Sequence, residues 1–168
     1  MGLFTKLIAA DTAIDFRKKW PLVSPLTGKV HTLDKVPCPL FGQRLFGEGV
    51  AIEPAGYQLL APCSGQLTAL DERGHQLRLQ ARNGLIIMIQ LGIGSEHMLG
   101  EGFKRLIKPG QKFSQGQVLL EFDLIKMKKQ LVSTLCPVTI VNSDKLLGIE
   151  AHCHHVMAGE DPAMTLYI

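Results

Sequence analysis

Short apolar runs broken at close intervals by turn residues point this chain toward β structure. Turn signals recur at Pro25-Leu26-Thr27-Gly28, Glu48-Gly49, Cys63-Ser64-Gly65, Arg82-Asn83-Gly84, Lys108-Pro109-Gly110 and Ser114-Gln115-Gly116, a spacing that suits an antiparallel sandwich or barrel. A weak internal repeat strengthens that reading. Ser24-Pro25-Leu26-Thr27-Gly28-Lys29-Val30 is echoed by Ala61-Pro62-Cys63-Ser64-Gly65-Gln66-Leu67, and two like strand-turn-strand units imply a pseudo-symmetric all-β core. The fold predicted is an all-β, antiparallel β-sandwich with one or two short helices. The clear helix candidate spans residues 124–131, with Asp123 as its cap.

Size and charge narrow the function. With 168 residues, 46% of them hydrophobic and 20% charged, the chain can bury a core and should not be disordered. A net charge of +3, with no interleaving of basic and aromatic residues, argues against nucleic acid as a partner. The longest apolar stretch, residues 85–91, falls well short of the roughly 20 residues that span a bilayer, and no secretory signal pattern opens the chain. Four scattered cysteines without CxxC spacing suit reduced thiols in a cytoplasmic protein. Residues 1–10 place Leu3, Phe4, Leu7 and Ile8 on one helical stripe, readable as a tail packed on its own domain or as a weak membrane contact. We therefore expect residues 1–19 to form an amphipathic tail and linker, and residues 20–168 one globular domain, as a monomer.

The most informative local pattern is a hairpin. Residues 75–81 alternate polar and apolar, Asn83-Gly84 follows, and the return run 85–91 is apolar on both faces except at Gln90. Asn-Gly is the strongest short hairpin signal because both residues tolerate positive φ. A two-residue loop would set Leu79 against Met88 and Leu77 against Gln90, leaving His75 diagonal to Gln90 on one face. A slip of one residue would separate them.

Several landmarks in order carry a family resemblance: Met1-Gly2-Leu3-Phe4, Gly49-Val50-Ala51-Ile52-Glu53-Pro54, Gly100-Glu101-Gly102-Phe103-Lys104-Arg105 and Ser133-Thr134-Leu135-Cys136-Pro137-Val138. With them the chain resembles the glucose-type IIA (EIIA) component of the bacterial phosphoenolpyruvate-dependent sugar phosphotransferase system along nearly its whole length. The resemblance implies a barrel-sandwich hybrid domain whose docking depression holds two histidines. The second histidine takes a phosphoryl group from the histidine-containing phosphocarrier protein and passes it to a membrane sugar permease, and the first steadies it. The unphosphorylated form also regulates permeases and glycerol kinase by binding them.

By motif position His75 matches the supporting histidine, whereas Gln90 stands where the acceptor should be. An amide nitrogen, its lone pair delocalised into the carbonyl, is no phosphoryl acceptor. Gly94 replaces a usual acidic residue, and Asp71, Arg73 and Met88 also depart from the pattern. This reads as a divergent paralogue rather than a single laboratory substitution. The resemblance marks Phe41, Leu45 and Phe46 as the rim of the depression, with Leu77, Met88 and Gly94 completing a partner-binding face. No cofactor is implied. The expectation is a protein unable to carry phosphate at the usual site, non-enzymatic in itself, acting by protein binding.

Other readings stay open at this stage. One is a carrier with an engineered Gln90, or one that uses His75. Another is a biotinyl- or lipoyl-type carrier at Lys126, disfavoured because residues 125–130 read as a helix rather than a hairpin tip. A metal site at His152, Cys153, His154 and His155 would share its ligands between two strand faces, too few on each for zinc. The prediction is no metal.

Overall fold

The computed structural model describes residues 7–8 and 18–168. In chain order the strands are β1 (Leu7–Ile8), β2 (Lys19–Val23), β3 (Gly28–Thr32), β4 (Glu48–Pro54), β5 (Gln58–Leu60), β6 (Gly65–Leu70), β7 (Gln76–Ala81) and β8 (Ile86–Gln90). They continue with β9 (Phe103–Arg105), β10 (Lys112–Phe113), β11 (Val118–Phe122), β12 (Cys136–Ile140), β13 (Gly148–Ala151), β14 (His155–Val156) and β15 (Pro162–Tyr167). Two short helices, α1 (Pro39–Gly42) and α2 (Leu124–Gln130), interrupt them. Strands 10-6-7-8-12-4-3-14 form an eight-stranded sheet, 1-13-15-2 a second sheet, and 5-11-9 a third. Every described pairing is antiparallel except that of β1 with β13. Side chains from all three sheets, among them Leu22, Ile52, Leu59, Leu79, Ile87, Leu120, Val138 and Leu166, meet in one main core. The all-β sandwich expected from the turn spacing is the fold observed.

The sequence repeat is built into the large sheet. Its strand order places β6-β7-β8 and β3-β4-β12 in matching positions on either side of the β8–β12 seam. Each repeat unit enters its strand through a glycine, for a common steric reason. A Cβ on Gly28 would lie 1.9 Å from the Glu53 carbonyl oxygen, and one on Gly65 would lie 2.1 Å from that of Gln80. Only glycine admits so close a neighbouring backbone.

The seam strands are apolar on both sides because both sides are covered. Ile87 and Ile89 of β8 point into the main core, while Met88 enters a second cluster with Leu33, Val36, Phe41, Ala51 and Ile93. Helix α1 caps that second cluster, and Arg44 fastens the segment behind it. Arg44 adopts φ 58°, a left-handed conformation that costs a non-glycine residue roughly 1–2 kcal/mol. Its guanidinium repays this cost by donating to Asp34 Oδ1 at 2.7 Å, to the Gly42 carbonyl, and to the buried carboxylate of Glu48 at 3.3 Å.

Two expectations fare differently. Asp123 caps α2 through its Oδ1, which accepts from Lys126 N at 3.0 Å, and the helix runs where it was predicted. The amphipathic tail lies outside the described residues except for Leu7 and Ile8. These two are extended, pairing with Ile149 and Glu150 of β13 rather than lying on a helical stripe. Unpaired backbone at the β13 edge offers them hydrogen bonds that a marginal ten-residue helix does not match.

Two outcomes check this packing. A Cβ on Gly49 would lie 2.0 Å from the Val138 carbonyl oxygen of β12, which cannot swing aside. Gly49→Ala should therefore lower unfolding free energy by about 1–3 kcal/mol or more in urea titrations. Asp34 is held below its usual carboxyl value of 3.8, first by the hydrogen bond from Arg44, which outweighs desolvation, and then by the charges of Arg44 and Lys35. Because the folded-state value is depressed, the pair's stabilisation is complete above 3.8 and fades as pH falls through the lower folded value. Urea titrations should show Arg44→Ala costing more stability near pH 6 than at about pH 3.

Candidate partner-docking site

The β7–β8 hairpin turns through three residues, not two. Ala81 N donates to the Leu85 carbonyl at 2.9 Å and Gly84 N to the Ala81 carbonyl at 3.0 Å, with Gly84 at φ 87°. Asn83 is not among the positive-φ residues; its Oδ1 instead accepts from Leu85 N at 3.1 Å. This is a turn closed by a left-handed glycine, the commonest three-residue hairpin. The extra loop residue shifts the register by one. Gln76, rather than Leu77, opposes Gln90; Leu77 pairs with Ile89, and Arg78 rather than Leu79 opposes Met88.

The shift corrects the composition of the site. Leu77 faces the main core and is 1% exposed, so it does not belong to a docking face. His75 sits one step beyond the Gln76–Gln90 pair, its carbonyl accepting from Leu91 N at 2.8 Å. Among the described residues no hydrogen bond or ion pair joins His75 to Gln90. Gln76 takes that place: its Nε2 donates to Gln90 Oε1 at 2.9 Å, and Gln90 Nε2 donates to the Gly92 carbonyl at 3.0 Å. Both ends of the Gln90 amide are thus engaged, and the side chain is held in one orientation at the end of β8.

Phe41 and Met88 are also buried, at 2% and 1% exposure, as the floor of the second cluster rather than its surface. Phe46 is half-buried, its ring 5.1 Å from that of Phe41. Of the partner-binding residues expected from the sequence, Leu45 is the large one presented outright, at 56% exposure. Gly94 is left-handed at φ 89° and begins the tight turn Ser95–Met98. Val132, 78% exposed, lies 3.7 Å from where a Gly94 side chain would start, and Leu131 packs closely on Gly92. Leu40 on α1 and Leu99, itself left-handed at φ 54°, are exposed as well. Sequence reasoning did not single out Leu40, Leu99 or Val132. Each sits in a turn or helix end, where apolar periodicity carries no information about burial.

The result is a polar pair, Gln76 and Gln90, followed by the Gly92–Gly94 turn against which half-buried Leu131 and exposed Val132 lie. A cavity of about 470 Å³, lined by Gln66, Gln80, Arg82 and Lys112, opens at the other, turn end of the hairpin. The Gln90 end of the hairpin carries exposed apolar side chains together with the exposed charged residues Asp71, Glu72 and Arg73, a mixture compatible with a protein-contacting surface.

The other candidate sites resolve simply. No group of three or more His, Cys, Asp or Glu able to hold a metal occurs among the described residues. His152–His154 is a turn rather than a strand, with His154 N donating to the His152 carbonyl at 2.8 Å. His152 hydrogen-bonds Thr165 at 2.8 Å, and burial pushes its imidazole below the ordinary value. Lys126 lies in the first turn of α2 with its ammonium on Glu101, not at a hairpin tip. All four cysteines are free. No helix among the described residues is long and apolar enough to cross a membrane.

Comparison with known proteins places this architecture. A family model described as the phosphoenolpyruvate-dependent sugar phosphotransferase system, EIIA 1, matches residues 21–146. The PTS system glucose-specific EIIA component of Borreliella burgdorferi is 36% identical over 140 residues, covering 82% of this chain and 74% of that one. The protein of the same description from Haemophilus influenzae is 29% identical over 166 residues, with 99% of each chain covered. The PTS system N-acetylglucosamine-specific EIICBA component of Escherichia coli is 34% identical over 142 residues, which span 84% of this chain and 22% of that one. Among solved structures, the glucose permease IIA from Mycoplasma capricolum superposes with a TM-score of 0.81 at 25% identity, covering 91% of this chain and 99% of that one. The chain belongs to the EIIA family of the phosphoenolpyruvate-dependent sugar phosphotransferase system.

Proposed function

We propose that this EIIA protein serves sugar transport and its regulation by docking partners on the Gln90 face, with residue 90 itself silent as a phosphoryl acceptor. The observation that carries the reading is the Gln90 amide, bonded at both ends to Gln76 and Gly92. It has no nucleophilic lone pair, and its hydrogen bonds leave it no alternative geometry. The exposed apolar side chains a partner would cover are Val132, beside Gly94, and Leu40 and Leu45 of the α1 segment.

The partners that fit are the histidine-containing phosphocarrier protein and the membrane sugar permease, together with permeases or kinases regulated by binding. All of these place the protein in the cytoplasm. The Escherichia coli EIICBA relative supports a permease as neighbour, since there the matching region is one part of a much longer chain. Loss of the acceptor within a retained face turns a relay station into a binding module.

Two experiments test this. Gln90→His, incubated with phosphoenolpyruvate, enzyme I and the carrier protein, should acquire phosphate on residue 90, where mapping of the wild type finds none. A folded Gln90→His that stays unlabelled at residue 90 would show that the face no longer receives the carrier. Leu45→Asp and Val132→Asp should each weaken carrier binding by about tenfold or more in calorimetry, with thermal unfolding unchanged. Unchanged affinity in both would place the docking surface elsewhere.

A further inference from the structure

The cavity at the turn end of the β7–β8 hairpin, about 470 Å³ in volume, has the size of a small-molecule site. Strand pairing builds one wall of it. Lys112 of β10 is the Cα partner of Gln66 in β6, and Gln66 is that of Gln80 in β7, so the three stand in one row across the sheet. Leu67, Leu79 and Ala81, the alternate positions of β6 and β7, are buried, which turns the row outward. Arg82 adds a guanidinium where the chain leaves β7 for the turn, and buried Phe113 lines the same cavity. Backbone bonds fix the wall: Gly110 N donates to the Leu67 carbonyl at 2.7 Å and Leu67 N to the Gln111 carbonyl at 2.9 Å.

The charges around this cavity are of one sign. No Asp or Glu is among the described residues that line it. Arg44 and Lys126 are each paired with a carboxylate, whereas the side chains of Arg82 and Lys112 have no hydrogen bond or ion pair among the described residues. Two uncompensated cations in a concave site attract anions, and a guanidinium matches the oxygens of a phosphate in two parallel bonds. The amides supply a different capacity. Gln66 Nε2 donates to the Gly110 carbonyl at 2.8 Å, which leaves its Oε1 to accept. Gln117 Oε1 accepts from Ser114 N at 3.2 Å, which leaves its amino group to donate. The Gln80 amide has no partner among the described residues. Donors and acceptors side by side suit hydroxyl groups, each of which both donates and accepts.

We infer that this cavity binds a small organic phosphate with a hydroxylated body, its phosphoryl group on Arg82 and Lys112 and its hydroxyls on the amides of Gln66, Gln80 and Gln117. Binding is non-covalent, and no group is transferred. A neutral polyol leaves the two cations unanswered, and inorganic phosphate leaves the amides without a partner. The site is separate from the Gln90 face and does not depend on partner docking there.

The test is amide chemical-shift mapping and calorimetry on the full chain, with glucose 6-phosphate, glycerol 3-phosphate, glucose and inorganic phosphate as probes. At least one of the two organic phosphates should give saturable shifts on Gln66, Gln80, Arg82 and Lys112. Its affinity should exceed that of glucose and of inorganic phosphate by about tenfold or more, and it should fall as salt is added. Arg82→Gln and Lys112→Gln should each weaken its binding by about tenfold. Gln80→Ala should weaken the organic phosphate and leave inorganic phosphate unchanged. Thermal unfolding of all three variants should match the wild type, because none of these side chains has a partner in the fold. Several results would overturn the inference: no saturable shifts with either organic phosphate, shifts spread instead over other basic residues such as Lys128 and Lys129, affinity for inorganic phosphate or glucose equal to that for the organic phosphate, or affinity unchanged in Arg82→Gln and Lys112→Gln.

Discussion

Everything at the functional end of this protein follows from the register of one hairpin. A single extra residue in the Arg82-Asn83-Gly84 turn, accommodated because Gly84 reaches φ 87°, decides which side chains of β7 meet those of β8. In the observed register Leu77 and Leu79 join Ile87 and Ile89 in the main core, and the two glutamines meet. The alternative register would bury Gln76 and expose Leu77. Side-chain period two makes that an all-or-nothing exchange, and burial of the leucines fixes the outcome.

The seam between β8 and β12 then holds the site in place. Both strands are covered on their two faces, by the main core on one side and by the small cluster under α1 on the other. Gln90 lies at the end of such a strand, so its position is set by a rigid element rather than by a loop. The polar ring of the site, by contrast, is set by turns. Asp71 with Gly74, and Gly92 with Gly94, bend the chain so that His75 and the Gly92 carbonyl come to the strand ends. Rigid strands and glycine-bearing turns together leave a small polar centre whose chemistry can change without disturbing the fold.

Much of this was legible in the sequence, and the failures have identifiable causes. Turn spacing and the Pro25/Pro62 repeat carried the sandwich, because a neighbouring backbone that excludes every side chain but hydrogen recurs at Gly28 and Gly65. Asp123 announced α2 because a cap is a local device. The length of the hairpin loop was not legible: Asn-Gly fits both a two-residue and a three-residue turn, and tertiary burial chooses between them. The residues 85–91 show that a strand is covered on both faces without showing by what, so Met88 looked like surface and is a core residue. The exposure of Leu40 and Val132 had no linear signature at all. Gln90 was legible because its meaning is chemical: an amide nitrogen is no phosphoryl acceptor wherever the strand lies.

We propose that the Gln90 face still receives partners of the sugar phosphotransferase relay although residue 90 is an amide. Amide chemical-shift mapping on the isotopically labelled protein, titrated with unphosphorylated carrier protein, tests it most directly. Saturable shifts should group on Gln76, Gln90, Leu45, Gly94 and Val132. Shifts absent from these residues, or grouped on the distant turn end of the hairpin around Arg82 and Lys112, would contradict it.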